Sequence, residues 1–130
     1  MIFVSCAIIE NSNGQVLATR RSEAMSLPMK WEFAGGKVEH GETYDETILR
    51  KIKEELGIET KVSKQLKVVI SHYPNFSITL IPFICRYVNG EILLHEHHEF
   101  TWLTANKLLS LDWAAADIPV VHQYLSSLQI

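Results

Sequence analysis

Apolar and polar positions along this chain follow two rhythms, and the change between them divides it into elements. Residues 2–9 (IFVSCAII) are apolar and largely β-branched, the pattern of a buried strand. Asn11, Ser12, Asn13 and Gly14 are turn chemistry, with Gly14 free to take positive φ. Gln15–Arg20 then reads as the returning strand of a hairpin. Residues 21–30 have no clear period, contain Pro28 and predict a loop. Trp31, Glu32 and Phe33 form a short strand running into Ala34, Gly35 and Gly36. Paired glycines there let the backbone turn sharply or approach a ligand closely.

The rhythm then lengthens. Tyr44, Ile48, Ile52 and Leu56 recur every four residues, the apolar stripe of a helix. Thr43 followed by Glu46 matches a capping box, and Gly57 is placed to end the helix. Residues 58–70 and 76–87 are strand-rich, and Asn89-Gly90 is a hairpin signal. Residues 91–95 and 99–103 predict further strand pieces around a polar cluster. Thr104 is a candidate cap for a short helix to residue 111. A last helix starts near Asp117, Ile118 and Pro119 and runs toward Leu128. Mixed strands with about three helices imply an α/β (α+β) fold, a mixed β-sheet sandwiched between α-helices.

Composition narrows the class. With 130 residues, 47% hydrophobic and 21% charged, residues 1–130 predict a single ordered domain. A net charge of −3 argues against a broad nucleic-acid surface, although local positive charge can still serve a small nucleotide. Cys6 and Cys85 both fall in apolar segments and predict buried free thiols. The apolar start is short and lacks a basic leader, and no apolar run approaches a membrane span. A cytoplasmic protein without a membrane partner is the expectation. Monomer and homodimer stay open.

The candidate chemistry lies on the central helix. At about 100° per residue, Arg50, Lys51, Glu54 and Glu55 fall on one arc beside the apolar stripe, with Glu55 nearest the core. Glu46 and Lys53 point away, and Glu42 lies just before the first turn. Two readings are open at this point. The arc is either a surface laced with i,i+4 pairs, Lys51 with Glu55 and Arg50 with Glu54, or a cleft in which paired carboxylates share a proton or hold a hard divalent cation.

The spacing favours the second. Gly36, Glu42, Arg50, Ile52, Glu54, Glu55, Gly57 and Ile58 occupy eight of the nine defined positions of a 23-residue pattern, and this resembles the Nudix box of the Nudix hydrolases. The flanks Thr19-Arg20-Arg21, residues 31–36 and Ala116 to Pro119 resemble the MutT-like nucleoside triphosphate pyrophosphohydrolases. The resemblance implies a mixed sheet between helices. It also implies Mg²⁺- or Mn²⁺-dependent hydrolysis of a small nucleotide, typically a triphosphate giving a monophosphate and pyrophosphate, with no nucleic-acid polymer as partner.

By position, the resemblance gives metal-binding roles to the Gly36 carbonyl and to Glu54 and Glu55. Arg50 would orient a neighbouring glutamate, and Glu42 would support or act through water. Arg21 would contact phosphate or base, Phe33 the base, and Lys37 the phosphates, unless Lys37 is a solvated loop residue. The departure is Lys51, where the family has glutamate. An ammonium cannot ligate Mg²⁺. Three readings are open: fewer metals with activity kept, an ammonium that replaces one metal as a phosphate clamp, or a weakened site that leaves a nucleotide-binding module.

A second polar cluster is His95-Glu96-His97-His98-Glu99. Strand alternation would put His95, His97 and Glu99 on one face, and a dedicated zinc site is one reading. The resemblance instead implies an extra glutamate brought to the metal site from this region. Glu96 fits first and Glu99 second. Asp117 aligns with the family's base-reading region. Ionised, it accepts only and favours an amino edge such as N4 of cytosine; the alternative is a plain helix cap. The resulting expectation is a cytosine-type or damaged nucleotide, with another diphosphate-linked compound as the alternative substrate.

Overall fold

The computed structural model describes residues 2–128. Eight strands form one mixed sheet: β1 (Ile2–Glu10), β2 (Gln15–Arg20), β3 (Trp31–Glu32), β4 (Gly35–Lys37), β5 (Glu59–Gln65), β6 (Val69–His72), β7 (Ser77–Asn89) and β8 (Glu99–Thr104). Two helices, α1 (Tyr44–Leu56) and α2 (Ile118–Ser127), and two 3-10 turns, Ala105–Ser110 and Ala115–Asp117, complete the described chain.

The spine is β1 running parallel to β7, in register from Ile2 opposite Ile78 to Glu10 opposite Arg86. Successive side chains of a strand face opposite sides. Cys6 and Ile8 therefore join a core with Val120, Val121 and Tyr124 of α2, while Ala7 and Ile9 join a core with Ile48, Ile52 and Leu56 of α1. A strand with a core on both faces has no place for a polar alternation, which is why residues 2–9 read as one apolar run.

The edges of this spine fork. β1 is paired to β2 only at Glu10 opposite Val16 and then takes β4, with Val4 opposite Lys37 and Cys6 opposite Gly35. β2 continues instead with β8 and β3. Gly35 and Gly36, read as a sharp turn or a close approach of the backbone, fall in a short strand, because β1 leaves β2 early and offers an unpaired edge. Gly35 fits that edge because it lacks a side chain: a Cβ there would stand 2.1 Å from the Ser5 carbonyl oxygen.

α1 is capped as its sequence requires. Thr43 Oγ1 accepts from the Glu46 N–H at 3.1 Å, and Glu46 Oε1 accepts from the Thr43 N–H at 2.8 Å. Gly57 ends the helix at φ 70°, its N–H donating to Lys53 O. Ile48, Ile52 and Leu56 are fully buried, each contributing about 1.5–3 kcal/mol. Tyr44 departs from the stripe: it is 38% exposed and stacks on Phe3.

Four other expectations are corrected. Residues 91–95 are not a strand, and Asn89-Gly90 does not open a hairpin. The Leu93 and His95 N–H groups instead donate to the carbonyls of Leu56 and Glu55, satisfying the free C-terminal end of α1. The helix expected after Thr104 is a 3-10 turn without a side-chain cap, the threonine hydroxyl donating to Asn106 Oδ1. Asp117 does not cap α2; its carboxylate is turned inward. Cys6 and Cys85 are free and buried, as expected. No described helix is long and apolar enough to cross a membrane.

Candidate functional site

A cleft of about 610 Å³ lies over the N-terminal halves of β1 and β7, where Val4, Cys6, Ile78 and Leu80 line it. The segment joining β3 to β4 crosses it and is held by a buried carboxylate from each helical layer. Asp117, from the α2 side, accepts from the Phe33 N–H at 3.1 Å. Glu55, from α1, accepts from the Gly35 N–H at 3.2 Å.

These two carboxylates have ordinary ionisation nowhere near them. Burial, reinforced by the nearby Glu32 charge, pushes Asp117 up to about 8 despite the Phe33 N–H and Arg21. Burial likewise raises Glu55 to about 7, with Glu96 adding to the rise and His97 and Lys51 opposing it.

Arg50 organises the outer side of α1. Its Nε donates to Glu42 Oε2 at 2.6 Å and its Nη2 to Glu42 Oε1 at 2.9 Å. Its Nη1 donates to both oxygens of Glu54, at 3.0 and 3.2 Å. This grip, helped by the Glu39 N–H, holds Glu42 down to about 2 and lowers Glu54 as well. Arg50 is raised in return. Arg50 therefore holds the carboxylates of Glu42 and Glu54 together. Lys51 reaches Glu54 at 3.5 Å and Glu55 at 3.6 Å. The i,i+4 pairs and the cleft, opposed readings of the sequence, thus coexist.

Of the residues singled out in the sequence, Arg21, Phe33, Gly36, Lys37, Lys51, Glu55, Glu96 and Asp117 line the cleft together. Glu42, Arg50 and Glu54 do not line it; Glu54 meets the wall at Lys51, and Arg50 meets it at the Lys37 carbonyl, 3.4 Å from Nη2. Phe33 is chiefly a core residue, only 3% exposed and packed on Trp113 at 4.7 Å. The histidine cluster disperses, because residues 95–98 are not a strand. Glu96 faces the cleft, Glu99 pairs with Arg20 at 2.8 Å, and His97 is buried on Glu32. Among the described residues no three carboxylate, imidazole or thiol side chains form a metal cage, and the zinc reading has no support.

Sequence reasoning missed Glu32. It lines the cleft, accepts from Arg21 Nη1 at 2.6 Å and faces His97 Nε2 at 2.8 Å. Its only signal was a carboxylate between two aromatics in a strand. Tyr73 and Phe76, stacked at 5.1 Å and lining the cleft, were also missed; they bracket Pro74-Asn75, between the two strand-rich stretches.

The donors suit a hard divalent ion. Glu55, Glu96 and Gly36 line the cleft with oxygen donors, and Glu54 adds a carboxylate beside them, held by Arg50 and Lys51. Mg²⁺ keeps waters and binds through one or two carboxylates plus substrate phosphates, so a complete protein cage is not required.

The carboxylates of Glu55 and Glu96 thus share one wall with the basic residues Arg21, Lys37 and Lys51 of a roomy, partly apolar recess, the features of a site for a phosphorylated small molecule. Comparison with known proteins makes the class specific. A NUDIX domain model matches residues 3–124. The CTP pyrophosphohydrolase of Escherichia coli (strain K12) is 35% identical over 97% of this chain and 93% of its own. The 8-oxo-dGTP diphosphatase of the same organism is 30% identical over 91% of this chain and 92% of its own. A MutT protein from Methanosarcina mazei Go1 superposes with a TM-score of 0.88 at 27% identity, over 99% of this chain and 96% of its own. The chain belongs to the Nudix family and is a hydrolase with MutT-like relatives.

Proposed function

We propose that this protein hydrolyses a nucleoside triphosphate to the nucleoside monophosphate and pyrophosphate, using Mg²⁺ or Mn²⁺, on a cytosine-type or oxidised nucleotide. The observation that carries the reading is one cleft lined together by buried Asp117 and by Gly36, Glu55 and Glu96. The relatives' names, a CTP pyrophosphohydrolase and an 8-oxo-dGTP diphosphatase, support the substrate class.

Each role follows from local chemistry. Glu54, Glu55, Glu96 and the Gly36 carbonyl hold the ion, which when bound supplies charge neutralisation at the phosphates and activation of water. Water adds to a phosphorus of the α–β anhydride and the bridging P–O bond breaks, so no other co-reactant is needed. Arg50 fixes Glu54 through its fork, and Glu42 fixes Arg50. Arg21 and Lys37 bring positive charge to the cleft wall.

Asp117 refines the base reading. With its carboxyl raised to about 8 it is protonated at neutral pH, so it donates as well as accepts. Cytosine presents N4–H beside N3, and 8-oxoguanine presents N7–H beside O6. Each is a donor next to an acceptor, matching a carboxylic acid. Read on its N7–O6 edge, unmodified guanine offers two acceptors, so a carboxylic acid separates it from 8-oxoguanine on that edge.

The test is a panel of nucleoside triphosphates, 8-oxo-dGTP, nucleotide sugars and dinucleoside polyphosphates with Mg²⁺ or Mn²⁺, assayed for monophosphate and pyrophosphate. CTP-type or 8-oxo-dGTP turnover well above GTP is the expected result. Turnover confined to a sugar or dinucleoside compound would move the substrate class. Tight nucleotide binding with no product from any compound would leave a binding module and overturn the reading.

A further inference from the structure

The Lys51 chain lies directly over Gly36. A Cβ on residue 36 would stand 2.3 Å from Lys51 Cε, 2.9 Å from Cδ and 3.1 Å from Nζ. A residue without a side chain at 36 is what leaves the lysine its path. The ammonium ends between two carboxylates, 3.5 Å from Glu54 Oε2 and 3.6 Å from Glu55 Oε2. It lines the cleft beside Gly36, Glu55 and Glu96, with its side chain 19% exposed.

Arg50, one residue earlier, behaves differently. Its bonds to Glu42 and Glu54 run from 2.6 to 3.2 Å, so its fork is consumed by the protein. The Lys51 contacts are longer than any of these. They balance charge without the short geometry that would commit the three N–H donors. Arg50 is therefore a fixed strut, and Lys51 is a cation tethered in the cleft with donors to spare. It is neighboured by the same glycine and carboxylates that suit a hard divalent ion. A second cation crowded against it among the same oxygens meets like-charge repulsion.

We propose that Lys51 is a built-in cation of this site, taking the place of one divalent ion and gripping the phosphate chain of the substrate directly through its ammonium. This rests on the nucleotide reading above for the nature of the ligand. Two consequences follow. The site takes one ion fewer than the same site carrying glutamate at 51. Part of its hold on phosphate needs no metal at all.

Two measurements on the full chain test this without turnover. Mn²⁺ is counted by electron paramagnetic resonance in wild type and Lys51→Glu, each saturated with the α,β-methylene analogue of CTP. Inorganic tripolyphosphate is titrated calorimetrically, in EDTA, into wild type and Lys51→Met. The expected results are one more Mn²⁺ per chain in Lys51→Glu, and tripolyphosphate affinity about tenfold weaker in Lys51→Met. Equal ion counts, or equal tripolyphosphate affinities, overturn the proposal. Neither ligand needs to be hydrolysed. A substrate panel without products, with both differences present, would remove the reaction reading and keep the lysine assignment.

Discussion

Asp117→Asn isolates the buried carboxyl that holds the Phe33 N–H at the cleft. An asparagine keeps an oxygen to accept the Phe33 N–H, bonded at 3.1 Å in the wild type, and it cannot titrate. Asp117 is raised from an ordinary 3.8 to about 8, chiefly by desolvation. A raised carboxyl is neutral in the folded chain and ionised in the unfolded one between those values. Its contribution is fully present below pH 3.8 and is lost as pH rises toward 8. Each pH unit in that window corresponds to about 1.4 kcal/mol. From pH 4 to pH 7 the wild type should lose on the order of 4 kcal/mol relative to Asp117→Asn, or a relative Tm shift on the order of 10 °C. Every other titrating group is common to both proteins and cancels in the difference. The assay is thermal unfolding of both proteins at half-unit steps from pH 4 to pH 9, without metal or nucleotide. Parallel Tm curves across this range would refute the assignment of Asp117 as a neutral acid, and the donor–acceptor reading of the base would go with it.

Further outcomes follow from neighbouring positions. Gly35→Ala should lower stability by about 3 kcal/mol or more, because the new Cβ meets backbone, Ser5 O at 2.1 Å and Cys6 Cα at 2.8 Å, which cannot swing aside; an unchanged Tm would contradict the β1–β4 pairing. Millimolar Mg²⁺ should raise the wild-type Tm by a few degrees, equivalent to about 1–3 kcal/mol at 10–100 times Kd, and Glu55→Gln should abolish the rise. Without metal, Glu55→Gln should match or exceed the wild type above pH 7, since the raised Glu55 costs stability as pH climbs from 4.5 through about 7; a metal response that survives in this variant would remove Glu55 from the cation locus.

Local rules wrote part of this protein into its sequence. The capping box at Thr43, the stripe of Ile48, Ile52 and Leu56, and the left-handed Gly57 depend on neighbours within one or two turns. The spacing of Gly36, Arg50, Glu54 and Glu55 was likewise legible, because a helix converts spacing into a face. Tertiary structure decided what periodicity cannot encode. Residues 91–95 have strand-like composition, yet their N–H groups serve the end of α1, a partner more than thirty residues away in the chain. Asp117 looks like a helix cap, but the fold turns it inward onto the Phe33 N–H, where burial and the Glu32 charge raise its carboxyl. Glu32 carried no usable signal, since its meaning comes from Arg21 and His97 arriving from other strands and loops. Lys51 divides most clearly between the two. Its departure from the box was visible in the sequence, and only the fold laid its chain across Gly36 and brought its ammonium between two carboxylates. Charge, solvation and proximity are properties of the assembled volume, and a linear pattern fixes only the local geometry that feeds them.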